Sequence, residues 1–320
     1  MSTIEKAAAK LAARGKSTVQ QKEASGAPQA QSEGRVTEPV MQGKRQGFTS
    51  APEQFCDIDL THLVAKGYLR PGEGKSQLAQ EMRRIKRPLL LNIQKSRAKG
   101  DAEPATNLIM ITSALQGEGK TFIAINLAMS LAAELDHRVL LVDADVSKGD
   151  ITEQLEIEAQ RGLSDLLHET NYIDEDAVLT SNVERLSILP AGGNTDHIDE
   201  LYASELMGTI ARSLASADPD RVVVFDAPPI LVTTEAVVLA RYMGQVVVVV
   251  EANKTPQDAV GQAVRQLEGC ANVSMLLNKT SHRESGGYGY GYGYGYAHSK
   301  RRQAEASQDD SMPVDREVQE

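Results

Sequence analysis

Between residues 107 and 278 the sequence alternates short aliphatic runs with longer amphipathic stretches, and this alternation narrows the fold more than any other feature. The aliphatic runs are NLIMITS (107–113), RVLLVD (138–143), RLSILP (185–190), RVVVFD (221–226), QVVVVVE (245–251) and SMLLN (274–278). Each is apolar at consecutive positions, so a strand built from it is buried on both faces. The stretches at 121–135, 200–216, 234–242 and 256–268 have helical spacing instead. Two-sided apolar strands joined by helices predict an α/β fold, with a mostly parallel sheet covered by helices on both faces.

The first strand-to-helix junction reads ALQGEGKT (114–121), the P-loop pattern of nucleoside triphosphatases. Phosphate chemistry accounts for each part. Small residues let the backbone N–H groups of Gln116, Gly117, Glu118 and Gly119 close around phosphate oxygens. The helix that begins at Lys120 presents its positive end to them. The Lys120 amine reaches the outer phosphates, and the Thr121 hydroxyl is a ligand for Mg²⁺. A similar string, PGEGKS at 71–76, has Leu69 where a small residue is required and a helical segment before it, so it reads as a turn and a helix cap.

Two later strands end in carboxylates: Asp143 and Asp145 in LLVDAD (140–145), and Asp226 in VVVFDAPP (222–229). In a parallel sheet the strand C-termini meet at one crevice, where the P-loop also lies. Three carboxylates delivered there can hold Mg²⁺ and leave one to orient a nucleophile. A lone Asp at a strand end is often only a helix cap; three in one sheet point to a site. Thr121, Asp145 and Asp226 are the expected metal ligands, and Asp143 the expected base, with an exchange of roles between Asp143 and Asp145 left open.

The flanks differ in character. Residues 1–50 form a basic arm, an Ala-rich helix over 1–14 followed by a Gln/Ser/Gly-rich linker expected to be disordered. Residues 51–104 read as a helical segment, with one helix closed at Gly67 and a second over 77–99 capped by Ser76 and kinked or restarted at Pro88. Residues 105–280 form the nucleotide-binding domain, and 281–320 a disordered tail. Residues 1–104 carry a net charge of +7 and residues 105–320 a net charge of −17, so the arm is a candidate for docking on something acidic.

Uninterrupted apolar runs reach five residues (246–250), against about 20 for a membrane span. Met1 to Arg14 has no apolar signal core, and two cysteines make no disulfide framework. These features predict a cytoplasmic protein. Five of the nine tyrosines, Tyr288, Tyr290, Tyr292, Tyr294 and Tyr296, alternate with glycine in the tail. Such a segment could stack on single-stranded nucleic acid, but only Lys300, Arg301 and Arg302 are near it, and no nucleic-acid partner is expected.

The P-loop at 114–121, LLVDAD at 140–145, VVVFDAPP at 222–229 and the tyrosine tail together resemble the bacterial tyrosine kinases of exopolysaccharide synthesis, a branch of the SIMIBI-type P-loop ATPases. Glu81, Arg84 and Arg87 match the E-x2-R-x2-R motif that this family uses for subunit contact. IDLTHLVAKGYL and EMRRIKRPLL most resemble the stand-alone autokinases of exosortase-linked loci. The resemblance implies an ATP- and Mg²⁺-dependent protein-tyrosine autokinase that regulates polysaccharide polymerisation and export, with the tail tyrosines as phosphoacceptors. It also implies a homo-oligomeric ring, a separate inner-membrane co-polymerase as activator that brings the enzyme to the membrane, and a cognate tyrosine phosphatase. Asn278 resembles the family's adenine-contacting position, although an ordinary loop asparagine reads the same way. Two departures stand out: Gln116 replaces the usual proline, and Ser147 then Lys148 follow the second Asp where many members have arginine at 147. The competing reading is a nucleotide-switched assembly ATPase of the partitioning or septum-placement branch. That branch carries a lysine early in the loop, where this sequence has Leu115.

Overall fold

The structure is a computed structural model and describes residues 54–100, 105–159, 161–169 and 177–280. Its frame is one eight-stranded sheet built from β1 (Gln54–Cys56), β2 (Leu108–Ser113), β3 (Arg138–Asp143), β4 (Leu179–Ser181), β5 (Leu186–Leu189), β6 (Arg221–Asp226), β7 (Gln245–Glu251) and β8 (Val273–Asn278). The spatial order is β1-β4-β5-β3-β6-β2-β7-β8, and every neighbouring pair is parallel except β4 with β5. The sheet and its helices match the expected α/β class.

Side-chain alternation explains why so many aliphatic positions are needed. On β2, Leu108 and Met110 enter one core while Ile109 and Ile111 enter the other. The same split puts Val223 and Phe225 on the first face and Val222 and Val224 on the second. The first face is covered by α5 (Leu163–His168), α6 (Ile198–Tyr202), α7 (Glu205–Ser216), α8 (Thr234–Ala240) and α9 (Gln257–Gln266). The second is covered by α1 (Leu60–Ala65), α2 (Gln77–Lys99), α3 (Lys120–Ala132) and α4 (Asp150–Leu155).

Helix α2 begins as its sequence predicts, with Ser76 Oγ accepting the Ala79 N–H at 3.2 Å. It runs through Pro88 without interruption. Arg84, Arg87 and Pro88 all lie on the exposed side, where water reaches the backbone group that the proline leaves unbonded. The opposite face buries Met82, Lys86, Leu89 and Ile93, and Lys86 Nζ donates to the Ser130 carbonyl of α3 at 2.7 Å. This bond fastens α2 to the helix that starts at the P-loop.

One expected helix, 200–216, is two. Ser204 is extended (φ −79°, ψ 159°), and its Oγ donates to the Leu201 carbonyl at 2.6 Å. The break lets Tyr202 turn into the core, where its hydroxyl donates to the Ala144 carbonyl at 2.8 Å. Strands β1 and β4 have no counterpart among the six aliphatic runs; each is three residues long, and they pair with each other across the chain.

Candidate active site

Strands β2, β3 and β6 are neighbours, and their C-terminal ends deliver the P-loop, Asp143 and Asp226 to one place. Asp143 and Asp226 are partners in register across β3 and β6. Asp145 follows two residues beyond β3, and the N–H groups of Lys148 and Gly149 both donate to its carbonyl at 2.9 Å. Gly149 sits at φ +65°, which closes that turn and starts α4 at Asp150.

Lys120 occupies the centre. Its Nζ is 2.7 Å from Asp145 Oδ2, 3.7 Å from Asp226 Oδ1 and 4.0 Å from Asp150 Oδ2. Burial opposes its charge, but Asp226 and Asp145 outweigh that and raise its pKa. Asp143 is fully buried and its Oδ2 accepts the Ile151 N–H at 3.0 Å. Burial, with the Asp226 charge, pushes its pKa up to about 8. Burial pushes Asp226 up to about 6, against the pull of Lys120 and the nearby Thr121 hydroxyl.

Asp143 Oδ1 and both carboxylate oxygens of Asp226 are buried and find no hydrogen-bond donor among the described residues. Orphaned carboxylate oxygens beside a threonine hydroxyl suit a hard divalent cation. No three His, Cys, Asp or Glu side chains among the described residues form a ready metal cage. Mg²⁺ usually takes one or two carboxylates and fills its shell with water and phosphate oxygens.

The P-loop is braced from the far side of the crevice. Glu118 is nearly fully buried; its Oε2 accepts the Leu115 N–H at 2.7 Å and its Oε1 accepts the Thr255 hydroxyl. Asn278 Nδ2 donates to the Glu118 carbonyl at 2.8 Å, and Lys279 Nζ donates to the Gly117 carbonyl at 2.6 Å. Lys279 and Lys254 both pair with Glu251, at 3.1 and 3.2 Å. Gly119 has φ +95°, and a Cβ there would lie 2.3 Å from Asn278 Nδ2. In this arrangement Asn278 holds the loop as well as lying beside it.

Asn278, Glu81 and Arg84 line one cavity of about 640 Å³ between α2, the start of α3 and the end of β8. Leu78, Ile85 and Phe122 supply its apolar wall. Glu81 Oε1 accepts from Gln77 Nε2 at 2.9 Å, while Arg84 and Arg87 are exposed. Tyr288, Tyr290, Tyr292, Tyr294 and Tyr296 lie outside the described residues, as does the arm 1–50.

The structure thus gathers Gln116 to Thr121, Asp143, Asp145, Asp226 and Asn278 at one end of the sheet. Sequence reasoning missed Asp150, Glu118's partner Thr255, and Lys279. Asp150 carries a faint signal, an acidic residue directly after the glycine that ends the LLVDAD turn.

The AAA domain family (AAA_31) matches residues 106–276, just over half of the chain. The tyrosine-protein kinase YwqD of Bacillus subtilis is 33% identical over 185 residues, covering 56% of this chain and 76% of that protein. The succinoglycan biosynthesis transport protein ExoP of Rhizobium meliloti is 32% identical over 189 residues, which is 57% of this chain but 23% of that protein. The chain spans different shares of its relatives' length, 18% of one and 90% of another. The kinase domain of the Escherichia coli tyrosine kinase ETK superposes with a TM-score of 0.57 at 23% identity, covering 75% of this chain and 95% of that domain, a likeness of fold. Among the described residues no helix is long and apolar enough to cross a membrane.

Proposed function

The chain belongs to the bacterial tyrosine kinases, and on that premise we propose that it transfers the γ-phosphoryl group of ATP to tyrosines of its own C-terminal tail. The observation that carries this reading is Lys120, a P-loop amine with three carboxylates within 4.0 Å: Asp226 at the end of β6, Asp145 just beyond β3 and Asp150 at the start of α4.

Phosphoryl transfer requires positioning and charge neutralisation more than covalent help. The backbone of Gln116 to Gly119 cradles the phosphates, and Lys120 leaves its carboxylates to meet their outer oxygens. Thr121, Asp145 and Asp226 hold Mg²⁺, directly or through water. The ion supplies charge neutralisation on the phosphate oxygens when bound. One carboxylate of LLVDAD accepts the proton of the incoming tyrosine hydroxyl. Asp143 is the expected base of the pair, and an exchange of roles with Asp145, whose side chain is 8% exposed, stays open. Asn278 contacts the adenine at the mouth of the 640 Å³ cavity.

The acceptors in this reading are Tyr288, Tyr290, Tyr292, Tyr294 and Tyr296, whose alternating glycines let each hydroxyl enter a narrow cleft. Phosphates on all five would add up to roughly −10 charges. Arg84 and Arg87, with Glu81, would meet a neighbouring copy and build a ring in which one tail enters the next site. Acidic phosphorylated tails then repel neighbours and open the ring. A separate inner-membrane co-polymerase activates the kinase and recruits it to the membrane, a cognate phosphatase reverses the modification, and the cycle controls exopolysaccharide polymerisation and export. The relation to a succinoglycan transport protein supports that setting.

The test is the full chain with Mg-ATP, with and without the cytoplasmic segment of its membrane partner, probed for phosphotyrosine. Wild type should label, whereas Lys120→Ala and a variant with all five tail tyrosines changed to Phe should not. ATP-dependent assembly with no phosphotyrosine in wild type would overturn the kinase reading in favour of an assembly ATPase.

A further inference from the structure

We propose that Lys148 is a second phosphate-contacting lysine of this site, steered by Asp150, and that it recognises the γ-phosphoryl group of a bound nucleoside triphosphate. The proposal rests on the nucleotide-binding reading above and assigns a specificity-determining residue within it.

The geometry centres on one oxygen. Asp150 Oδ2 is 2.6 Å from Lys148 Nζ, 3.5 Å from Thr121 Oγ1 and 4.0 Å from Lys120 Nζ. Lys148 therefore shares a carboxylate oxygen with the two P-loop side chains that face the outer phosphates and the metal. Its backbone cannot drift, because the Lys148 and Gly149 N–H groups both bond the Asp145 carbonyl at 2.9 Å. Its side chain is nonetheless 62% exposed, against 13% for Asp150, so the amine is open to a ligand while its anchor is not.

Charge decides the direction. Four carboxylates, Asp143, Asp145, Asp150 and Asp226, surround Lys120 at this end of the sheet. The cations on the opposite wall, Lys254 and Lys279, pair with Glu251, and Lys279 also holds the P-loop carbonyl of Gly117. Lys148 is the lysine placed to add positive charge on the LLVDAD side. A γ-phosphate brings oxygens that compete with Asp150 Oδ2 for its amine, since lysine forms charge-assisted bonds to phosphate as it does to carboxylate. A diphosphate ends one group short and leaves the Lys148–Asp150 pair in place.

The test compares the affinities of the full chain for Mg-ADP and for a non-hydrolysable Mg-ATP analogue. Lys148→Met should weaken the triphosphate analogue about 10-fold, or roughly 1.4 kcal/mol, and leave ADP within about two-fold. Lys148→Arg should restore the preference, and an unchanged melting temperature should show that the fold is intact. Equal weakening of both nucleotides, or of neither, overturns the role of Lys148 while the nucleotide site stands. Wild type that binds neither nucleotide removes the nucleotide-site reading and this proposal with it.

Discussion

Lys120 and Asp145 form a buried ion pair, with 2.7 Å between Nζ and Oδ2 and only 8% of each side chain exposed. Their contact joins the P-loop to LLVDAD through side chains that a bound triphosphate would separate. Lys120→Met removes the amine and leaves Asp145 and Asp226 facing each other without a cation. Breaking a buried pair from one side costs about 3–5 kcal/mol. The melting temperature in the absence of nucleotide should fall, and phosphotyrosine formation should drop by about 10²–10³-fold or more, since a group that meets developing charge is lost. A variant as stable as wild type would refute the structural half of this expectation.

Asp143 sets a pH dependence. Its carboxyl titrates near 8 in the folded chain, raised by burial and by Asp226, against 3.8 for the ordinary group. Between about pH 4 and pH 8 the folded protein therefore holds a proton that the unfolded chain has released, and stability falls as pH rises through that window. Asp226, raised to about 6, adds the same sign over a narrower range. Asp143→Asn stays neutral throughout. Denaturant titrations without nucleotide or magnesium should find it close to wild type near pH 4 and more stable near pH 8, by roughly a few kcal/mol.

Gly119 cannot become alanine without damage. Its φ of +95° disfavours any side chain, and the new methyl group would meet Asn278 Nδ2 at 2.3 Å. Asn278 could swing away only by giving up its bond to the Glu118 carbonyl. Gly119→Ala should cost about 1–3 kcal/mol of stability and weaken a fluorescent nucleotide analogue at least ten-fold. Unchanged affinity would show that the P-loop tolerates the methyl group.

Lys86 ties α2 to α3. The buried amine donates to the Ser130 carbonyl at 2.7 Å and pairs with Glu134 at 2.5 Å. Lys86→Met keeps the aliphatic stem and removes both contacts. Urea unfolding should show a loss of about 1–3 kcal/mol. If Glu81, Arg84 and Arg87 form a subunit contact, the same variant should also weaken assembly in sedimentation, because those residues ride on the helix that Lys86 anchors.

Much of this was legible in the chain. The four central strands read clearly because residues such as Val223 and Val224 must both be apolar when helices cover both faces of a sheet. ALQGEGKT, Asp143 and Asp226 could be assigned to one crevice because parallel strands end on the same side. The three-residue strands β1 and β4 were not legible, since segments that short carry too little periodicity and their pairing joins residues 54–56 to 179–181. Nor was the split at Ser204, where burying Tyr202 against the Ala144 carbonyl overrode a continuous helical pattern.

The sequence by itself determined what repeats or is local: the alternation of elements, the phosphate loop, the helix cap at Ser76 and the carboxylates at strand ends. Only the tertiary structure decided which side chains share an oxygen. Asp150 lies beside Lys120 and Thr121 because a glycine turn folds α4 back over the P-loop helix. Lys279 reaches Gly117 because β8 ends level with it across the sheet, 162 positions away in the chain. Periodicity records which face of an element is buried; it carries no information about the atom that a charged side chain will meet, because that depends on turns and strand order far away in the chain.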